Sequence, residues 1–534
     1  MDGNFDVIVV GGGHNGLVAA GYLAKSGLKV CVCEARDTVG GAAVSEHPFG
    51  PGYTVTSLSY VVSLLPPSLV TDLGLTEHGY HVYPQGPYFA PRADGRYLSL
   101  PDDPGERHDR IAVFSTKDAD AYQEWDDWMS GLGDLLGPLL ERIPPKLGSR
   151  RPADLVRQLG LLRQLRGIDV RSAADVTRVL TTSIADLVED RFESDAVRGL
   201  LSVSGCIGTW AGPRSAGTGY VMLHHHVGGV DGEAGAWGFP RGGMGGVTQA
   251  LARAARSFGA HIRTNAAVGR INVRDGRAIG VSLANGDELR APTVITTAHP
   301  KISFLDLIDP VELPAEFLAD LKRWKTRSGT VKINLAVDRL PEFTAHPQFD
   351  PRVHGGTIVL AESLDDIENA YQQAVAGRAA ELPFADVCIP SVLDDSLAPD
   401  GHHVVSMFTQ WVPHTWADEP DAAELDAYAD RVVARMETVA PGFTDSVLHR
   451  QVIGPHEMQT EYHLVGGNIF HGELSADQLF HSRPAAGYAD LRTPIAGLYQ
   501  AGSATHGGGG VTGIPGRNVV RQVLADRRWW RRRR

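Results

Sequence analysis

The sequence is poor in cysteine: four in 534 residues, at positions 31, 33, 206 and 388, with no CxxC or CxxxxC pair among them. That scarcity excludes a disulfide framework and argues against a thiol–disulfide redox centre. Basic side chains are outnumbered, 50 against 63 acidic, for a net charge of −13. A broad nucleic-acid-binding face, which needs the opposite balance, is therefore not expected. Lysine is scarcer still, 8 residues against 42 arginines, a bias that reads as genomic base composition. Also missing is any uninterrupted apolar run of the roughly 18 residues that a membrane-spanning helix requires. Too few residues precede the first apolar run for a signal or transit peptide, so a cytoplasmic protein is expected. There are no internal repeats. What remains is ordinary for a large globular chain, 43% hydrophobic and 21% charged, with length for two or three domains.

The informative stretch is residues 6–41. Asp6-Val7-Ile8-Val9-Val10 reads as a short strand buried on both faces. It stops at Gly11-Gly12-Gly13-His14-Asn15-Gly16, a GxGxxG turn, and continues with Leu17, Val18, Ala20, Leu23 and Ala24 at helical spacing. A second buried strand, Val30-Cys31-Val32-Cys33, ends in Glu34. Gly11 permits the tight turn, Gly13 lets a pyrophosphate approach the backbone, and Gly16 lets helix and strand pack closely. The helix N-terminus attracts the diphosphate, and Glu34 is placed to accept hydrogen bonds from ribose hydroxyls. A lone GxGxxG is weak evidence; strand, turn, helix, strand and acidic residue in order are specific. Cys31 and Cys33 read as small hydrophobes on that second strand.

Further along, Gly238–Gly246 leads into an amphipathic helix (Val247, Leu251, Ala254, Ala255) that Gly259 ends. Strands are predicted at 261–264, 267–273, 278–283 and 294–298, with a hairpin turn at Asp275-Gly276. Gly497–Gly502 reads as one more strand and turn, with a helix beginning near Val511. The expected fold class is α/β: a Rossmann-like FAD-binding domain in three segments (1–110, 236–305 and 485–525) with an inserted α+β substrate domain (111–235 and 306–484). Residues 526–534 form a basic tail. No second GxGxxG unit exists, so a built-in nicotinamide domain is not expected.

Glu34-Ala35-Arg36 followed by Gly40-Gly41-Ala42 resembles the ExRxxxGG continuation of FAD-containing oxidases and desaturases. With the segment Pro240-Arg241-Gly242-Gly243-Met244 and the closing run Ala501-Gly502-Ser503-Ala504-Thr505-His506-Gly507-Gly508-Gly509-Gly510-Val511, the chain resembles the phytoene-desaturase-like flavoproteins over nearly its whole length. The resemblance implies an FAD-dependent oxidoreductase, with related desaturases acting on long apolar polyenes. It also implies cofactor roles for His14, Asn15 and Ala42 beside the turn. Gly502 and Ser503 would lie near the pyrophosphate and ribityl chain, Val511 near the pyrimidine edge, and Val268 near the adenine.

Candidates for chemistry are fewer. His224-His225-His226 cannot easily grip one metal ion, because consecutive residues diverge on either a helix or a strand; no metal is expected. His224 or His225 reads either as packing or as a proton carrier in the flavin cavity, and His506 likewise. Lys332 and Asn334 share one face of a strand predicted over 330–337, and a solvent-facing strand is the reading preferred there. The leucine stripes 132/135/136/139/140 and 155/159/162/165 read as buried packing. Six arginines around two tryptophans in the tail suit either an anionic membrane surface or a solubilising end.

The function expected is removal of hydride from an apolar or lipid-like small molecule by an FAD enzyme, the electron acceptor being open. A flavin amine oxidase, or a non-catalytic binding protein built on the scaffold of the prenyl-GTPase chaperones, are the alternatives.

Overall fold

The computed structural model describes residues 4–230 and 233–531. Two sheets dominate it. The first is parallel and five-stranded, in the spatial order His261–Arg263, Val30–Cys33, Val7–Val10, Val294–Thr296, Leu498–Gln500. Numbered along the chain this is 3-2-1-4-5, the doubly wound order whose crevice opens beside strand 1. Strands of β-branched residues buried on both faces are what such a sheet demands. Val7 and Val9 pack toward the helices His14–Lys25 and Ile514–Arg531. Ile8, Val10, Cys31 and Cys33 face the opposite way, against the three-stranded meander Val268–Arg274, Arg277–Leu283, Glu288–Arg290. All four cysteines are free and buried.

The turn after the first strand is sterically exacting. A Cβ on Gly16 would lie 2.1 Å from the Gly11 carbonyl oxygen, and Gly11 holds φ +98°. The turn is clamped from both sides: Gly12 N–H donates to Glu34 Oε2 at 2.7 Å, and Thr297 Oγ1 donates to the Val10 carbonyl at 3.0 Å.

The second sheet is mixed and seven-stranded, ordered Val447–Ile453, Thr330–Val337, His403–Gln410, Phe384–Cys388, Thr357–Leu360, Tyr88–Pro91, Tyr97–Leu100. Its last two members change the expected segmentation, since residues 88–100 pair into this sheet and not into the parallel one. Thr330–Val337 has strand neighbours on both sides and no exposed residue, which overturns the solvent-facing reading of Lys332. The alternation that suggested water on one face reflects a polar cavity wall instead.

Two helical expectations also change. The final helix starts at Ile514 rather than near Val511, because Gly507, Gly508, Gly510, Val511 and Gly513 all hold positive φ. That helix continues to Arg531, so residues 526–531 are no free tail; Asp526 is buried and accepts from Arg492, Tyr499 and Gln522. The tryptophan side chains at 529 and 530 and residues 532–534 lie outside the described residues. Leu132, Leu136 and Leu140 are buried as expected, whereas Leu155, Leu159 and Leu162 face outward.

The crowding at the turn gives a direct test. Gly16→Ala should cost on the order of 1–3 kcal/mol through overpacking and should strip the bound cofactor. Gly131→Ala, in a helix interior with nothing within 4 Å, should be neutral or stabilising by up to about 1 kcal/mol. Thermal melts with flavin content read both; equal melting temperatures for the two variants would refute the steric account.

Candidate functional site

Between the sheets lies a cavity of about 460 Å³, a size typical of cofactor and small-molecule sites. Every residue expected to hold the cofactor lines it except Gly16 and Gly502. Those two shape the wall from behind: Gly502 lets its backbone approach the Thr297 carbonyl, where a Cβ would sit 2.6 Å away. Gly13, at the helix N-terminus, has nothing within 4 Å of where its Cβ would project, so the helix start is open to the cavity. Glu34 is already used on both oxygens, accepting from Gly12 N–H at 2.7 Å and Arg36 N–H at 2.9 Å. Each carboxylate oxygen retains a lone pair, so Glu34 clamps the turn and still offers acceptors. Arg36 pairs with Glu46, lies over the Tyr462 ring at 4.9 Å, and leaves Nη1 buried without a partner among the described residues. Asn15 ties the ends of the chain together, donating to Ser503 Oγ at 3.3 Å and accepting from Gly516 N–H at 3.4 Å.

The residues present suit a diphosphate. Arg483 is wholly buried; its Nη2 donates to the Phe470 and Ser503 carbonyls at 2.8 and 3.2 Å, while Nε and Nη1 have no acceptor among the described residues. Burial brings its pKa down to about 10, still fully cationic at neutral pH. His14 Nε2 and His471 Nδ1 are likewise buried and unpartnered. Burial first, and then the neighbouring His471, take His14 down to about 3; burial, and then Arg483, take His471 to about 4. His14 and His471 line the cavity with neutral imidazoles beside the open helix N-terminus, and Arg483 stands behind the wall on the carbonyls of Phe470 and Ser503; together they make a setting that an anion would satisfy.

Val511 lines the cavity with φ +58°, a left-handed conformation that a β-branched residue rarely adopts. Strain of this kind persists only where the surroundings impose it; here Val511 is held in an apolar cluster with Leu17, Val18, Val62 and Leu65.

The three candidate histidines separate. His225 lines the cavity; its Nδ1–H donates to the Val221 carbonyl at 2.7 Å, and burial holds it neutral with a pKa near 4. The tautomer is thereby set, leaving Nε2 as an acceptor. His224 sits behind the glycine loop, against Gly508 and Gly510, with a pKa lowered to about 3 by burial and then by His225. His506 is a correction to the sequence reading: it does not line the cavity, and its Nε2 donates to the Leu139 carbonyl at 3.0 Å.

The wall contributed by the mixed sheet carries Lys332, read from the sequence as solvent-facing, together with groups that sequence reasoning did not single out, Asp386 and Tyr60. Lys332, Phe408 and Asp386 are register neighbours on three adjacent strands, so their side chains share one face. Asp386 accepts from Tyr60 Oη at 3.1 Å, while its Oδ1 is buried and unpartnered. Lys332 Nζ donates to Ser406 Oγ at 2.6 Å and Asn334 Oδ1 at 2.5 Å. Burial pushes Asp386 up to about 7 and Lys332 down to about 7. Tyr60, Tyr88, Trp237 and Phe408 supply rings around them. An aspartate inside the apolar strand Phe384–Cys388 was a legible signal; Arg483, in an irregular loop, offered none.

Comparison with known proteins agrees with this geometry. A family model described as flavin containing amine oxidoreductase matches residues 16–516. Pyridine nucleotide-disulfide oxidoreductase domain-containing protein 2 of Rattus norvegicus is 38% identical over 98% of this chain and 94% of its own length. A limonene dehydrogenase polypeptide of Castellaniella defragrans is 25% identical over 98% of this chain and 96% of its own. Among solved structures, cyclohexylamine oxidase from Brevibacterium oxydans superposes with a TM-score of 0.61 at 18% identity, covering 98% and 99% of the two chains, which shows a shared fold.

Replacing the buried cation tests this setting. Arg483→Met should weaken FAD binding by roughly 10- to 100-fold, the about 1.5–3 kcal/mol of a charged hydrogen bond, measured by fluorescence titration of the apoprotein. Circular dichroism checks that the variant folds. Unchanged affinity in a folded variant would make Arg483 a packing residue only.

Proposed function

This chain belongs to the flavin-containing amine oxidoreductases, with FAD as cofactor, and from that premise we propose that it removes hydride from an apolar, lipid-like substrate bearing one hydrogen-bonding group. The observation carrying this reading is the wall opposite the glycine turn, where aromatic rings surround the polar cluster of Asp386 and Lys332. FAD supplies the two-electron acceptor when bound. The residues named along the turn, with Ser503 and Val511, would hold it, and Arg483 would balance its diphosphate. Tyr60, Tyr88, Trp237 and Phe408 would orient an apolar body and keep water out. Hydride loss leaves a proton to be taken up, and Asp386 and Lys332, both poised near neutrality, are suited to take it. His225 would accept a hydrogen bond from the substrate.

A second reading, oxidation of an amine, draws support from the family description and from the tilted ring pair Tyr60 and Phe408, 6.1 Å apart. Lys332 weighs against it below about pH 7, where an ammonium at this wall repels a substrate cation. The likeness to a limonene dehydrogenase, named for a hydrocarbon, favours the apolar reading.

Anaerobic bleaching of the bound flavin by a panel of terpenes, apolar alcohols, fatty aldehydes and amines tests the proposal independently of the electron acceptor. Apolar compounds should bleach it. The rate should rise with pH through about 7, because Asp386 and Lys332 both become bases in that direction. Asp386→Asn should flatten that rise and lower the rate by about 10²-fold or more. Bleaching by amines alone would overturn the reading, and a purified protein that takes up no flavin would favour a binding role.

A further inference from the structure

The helix Pro152–Arg166 is built inside out. Its inward face is polar: Asp154, fully buried, accepts from Ser149 Oγ at 2.7 Å and pairs with Arg157 and Arg492 at 3.4 and 3.5 Å. Arg157 also donates to Gln522 Oε1 at 2.7 Å, and Gln158 to the Lys146 carbonyl at 2.8 Å. The outward face carries Leu155, Val156, Leu159 and Leu162, exposed by 43%, 69%, 60% and 57%. Leu147, in the loop before the helix, and Val170, at the start of the next one, are exposed as well, at 75% and 87%. A helix on a water-soluble body turns its apolar stripe inward. This one cannot rotate to do so, because Asp154, Arg157 and Gln158 fasten it to the Leu491–Arg492 loop, the final helix and the segment before it.

Scattered exposed leucines need no explanation, but a contiguous stripe does. Its electrostatic setting narrows the partner. Residues 142–171 hold eight arginines and lysines against two aspartates, in a chain whose net charge is −13. Of those aspartates, Asp154 is buried and Asp169 caps the next helix, accepting from Arg171 N–H and Ser172 N–H. Arg150 and Arg151 stand before the stripe, Arg151 pairing with Asp526 at 3.8 Å, and Arg163 and Arg166 stand exposed on its last turn. Arg528 is exposed on the final helix, to which this helix is fastened.

We propose that the helix Pro152–Arg166 lies in the surface of an anionic lipid bilayer, its leucines and valine entering the acyl boundary and the terminal arginines meeting lipid phosphates. Apolar residues between two basic ends, with stems long enough to reach upward, are what an interfacial helix requires. The helix itself is the anchor; exposed Arg528 on the final helix adds charge. The proposal does not depend on the substrate reading.

Flotation of the FAD-loaded full chain with vesicles tests it. The protein should float with mixed phosphatidylglycerol and phosphatidylcholine vesicles, less so as salt rises, and not with phosphatidylcholine alone. The double variant Leu159→Asp, Leu162→Asp should reduce the floating fraction about 10-fold or more, with melting temperature and flavin content unchanged. Arg163→Glu with Arg166→Glu should weaken flotation at low salt. Truncation after Arg528 should leave most of the binding in place. No flotation of the parent, or equal flotation of the leucine double variant, would overturn the proposal. So would light scattering that shows a dimer which the leucine double variant dissolves, since the stripe would then be a contact between copies.

Discussion

Everything in this molecule that concerns a cofactor depends on one close approach: the carbonyl of Gly11 and the backbone of Gly16, near enough that no side chain fits between them. That contact lets the first helix begin directly above the end of the first strand. Its open start therefore faces the crevice between the parallel strands. Glu34 and Thr297 hold the turn from two neighbouring strands, so the binding edge is part of the sheet and not a loop laid over it. Ser503 and Gly516 reach the same point through Asn15, which makes the two ends of the chain one surface.

The cavity then divides its labour between two sheets. The parallel sheet contributes backbone and glycine, and a buried arginine stands in the irregular loop ahead of its last strand, a chemistry suited to phosphate. The mixed sheet contributes rings and a small group of titratable side chains held near neutrality by burial. Histidines on both sides are kept neutral by the same burial, so the site carries cationic charge at Arg483 and few fixed charges elsewhere. A crevice arranged this way favours an anion at one end and an uncharged body at the other.

Much of this was legible in the sequence because it was local. The turn, its two strands, Glu34 and the strand at 330–337 announce themselves within short windows. So did the hairpin at Asp275-Gly276, whose two residues hold φ +52° and +66°. What stayed hidden depended on neighbours far along the chain. Lys332 looked solvated because alternation cannot distinguish water from a polar cavity. The leucines at 155, 159 and 162 looked buried because periodicity gives a face but not its direction, which buried Asp154 decides. Residues 88–100 were grouped with the cofactor segment 1–110, although they pair into the mixed sheet, because pairing partners cannot be read from one strand alone. Arg483 matters through burial, which no single residue reveals.

The strand Leu498–Gln500 completes the parallel sheet from the far end of the chain, pairing with Val294–Thr296 roughly two hundred residues upstream. Roughly two hundred residues must therefore follow Thr296 off the ribosome before the nucleotide crevice acquires its last wall. Contacts closed over so long a loop form late, whereas the mixed sheet uses strands no later than Ile453. The cofactor would then enter a body already half assembled, arriving as the piece that locks the two termini together.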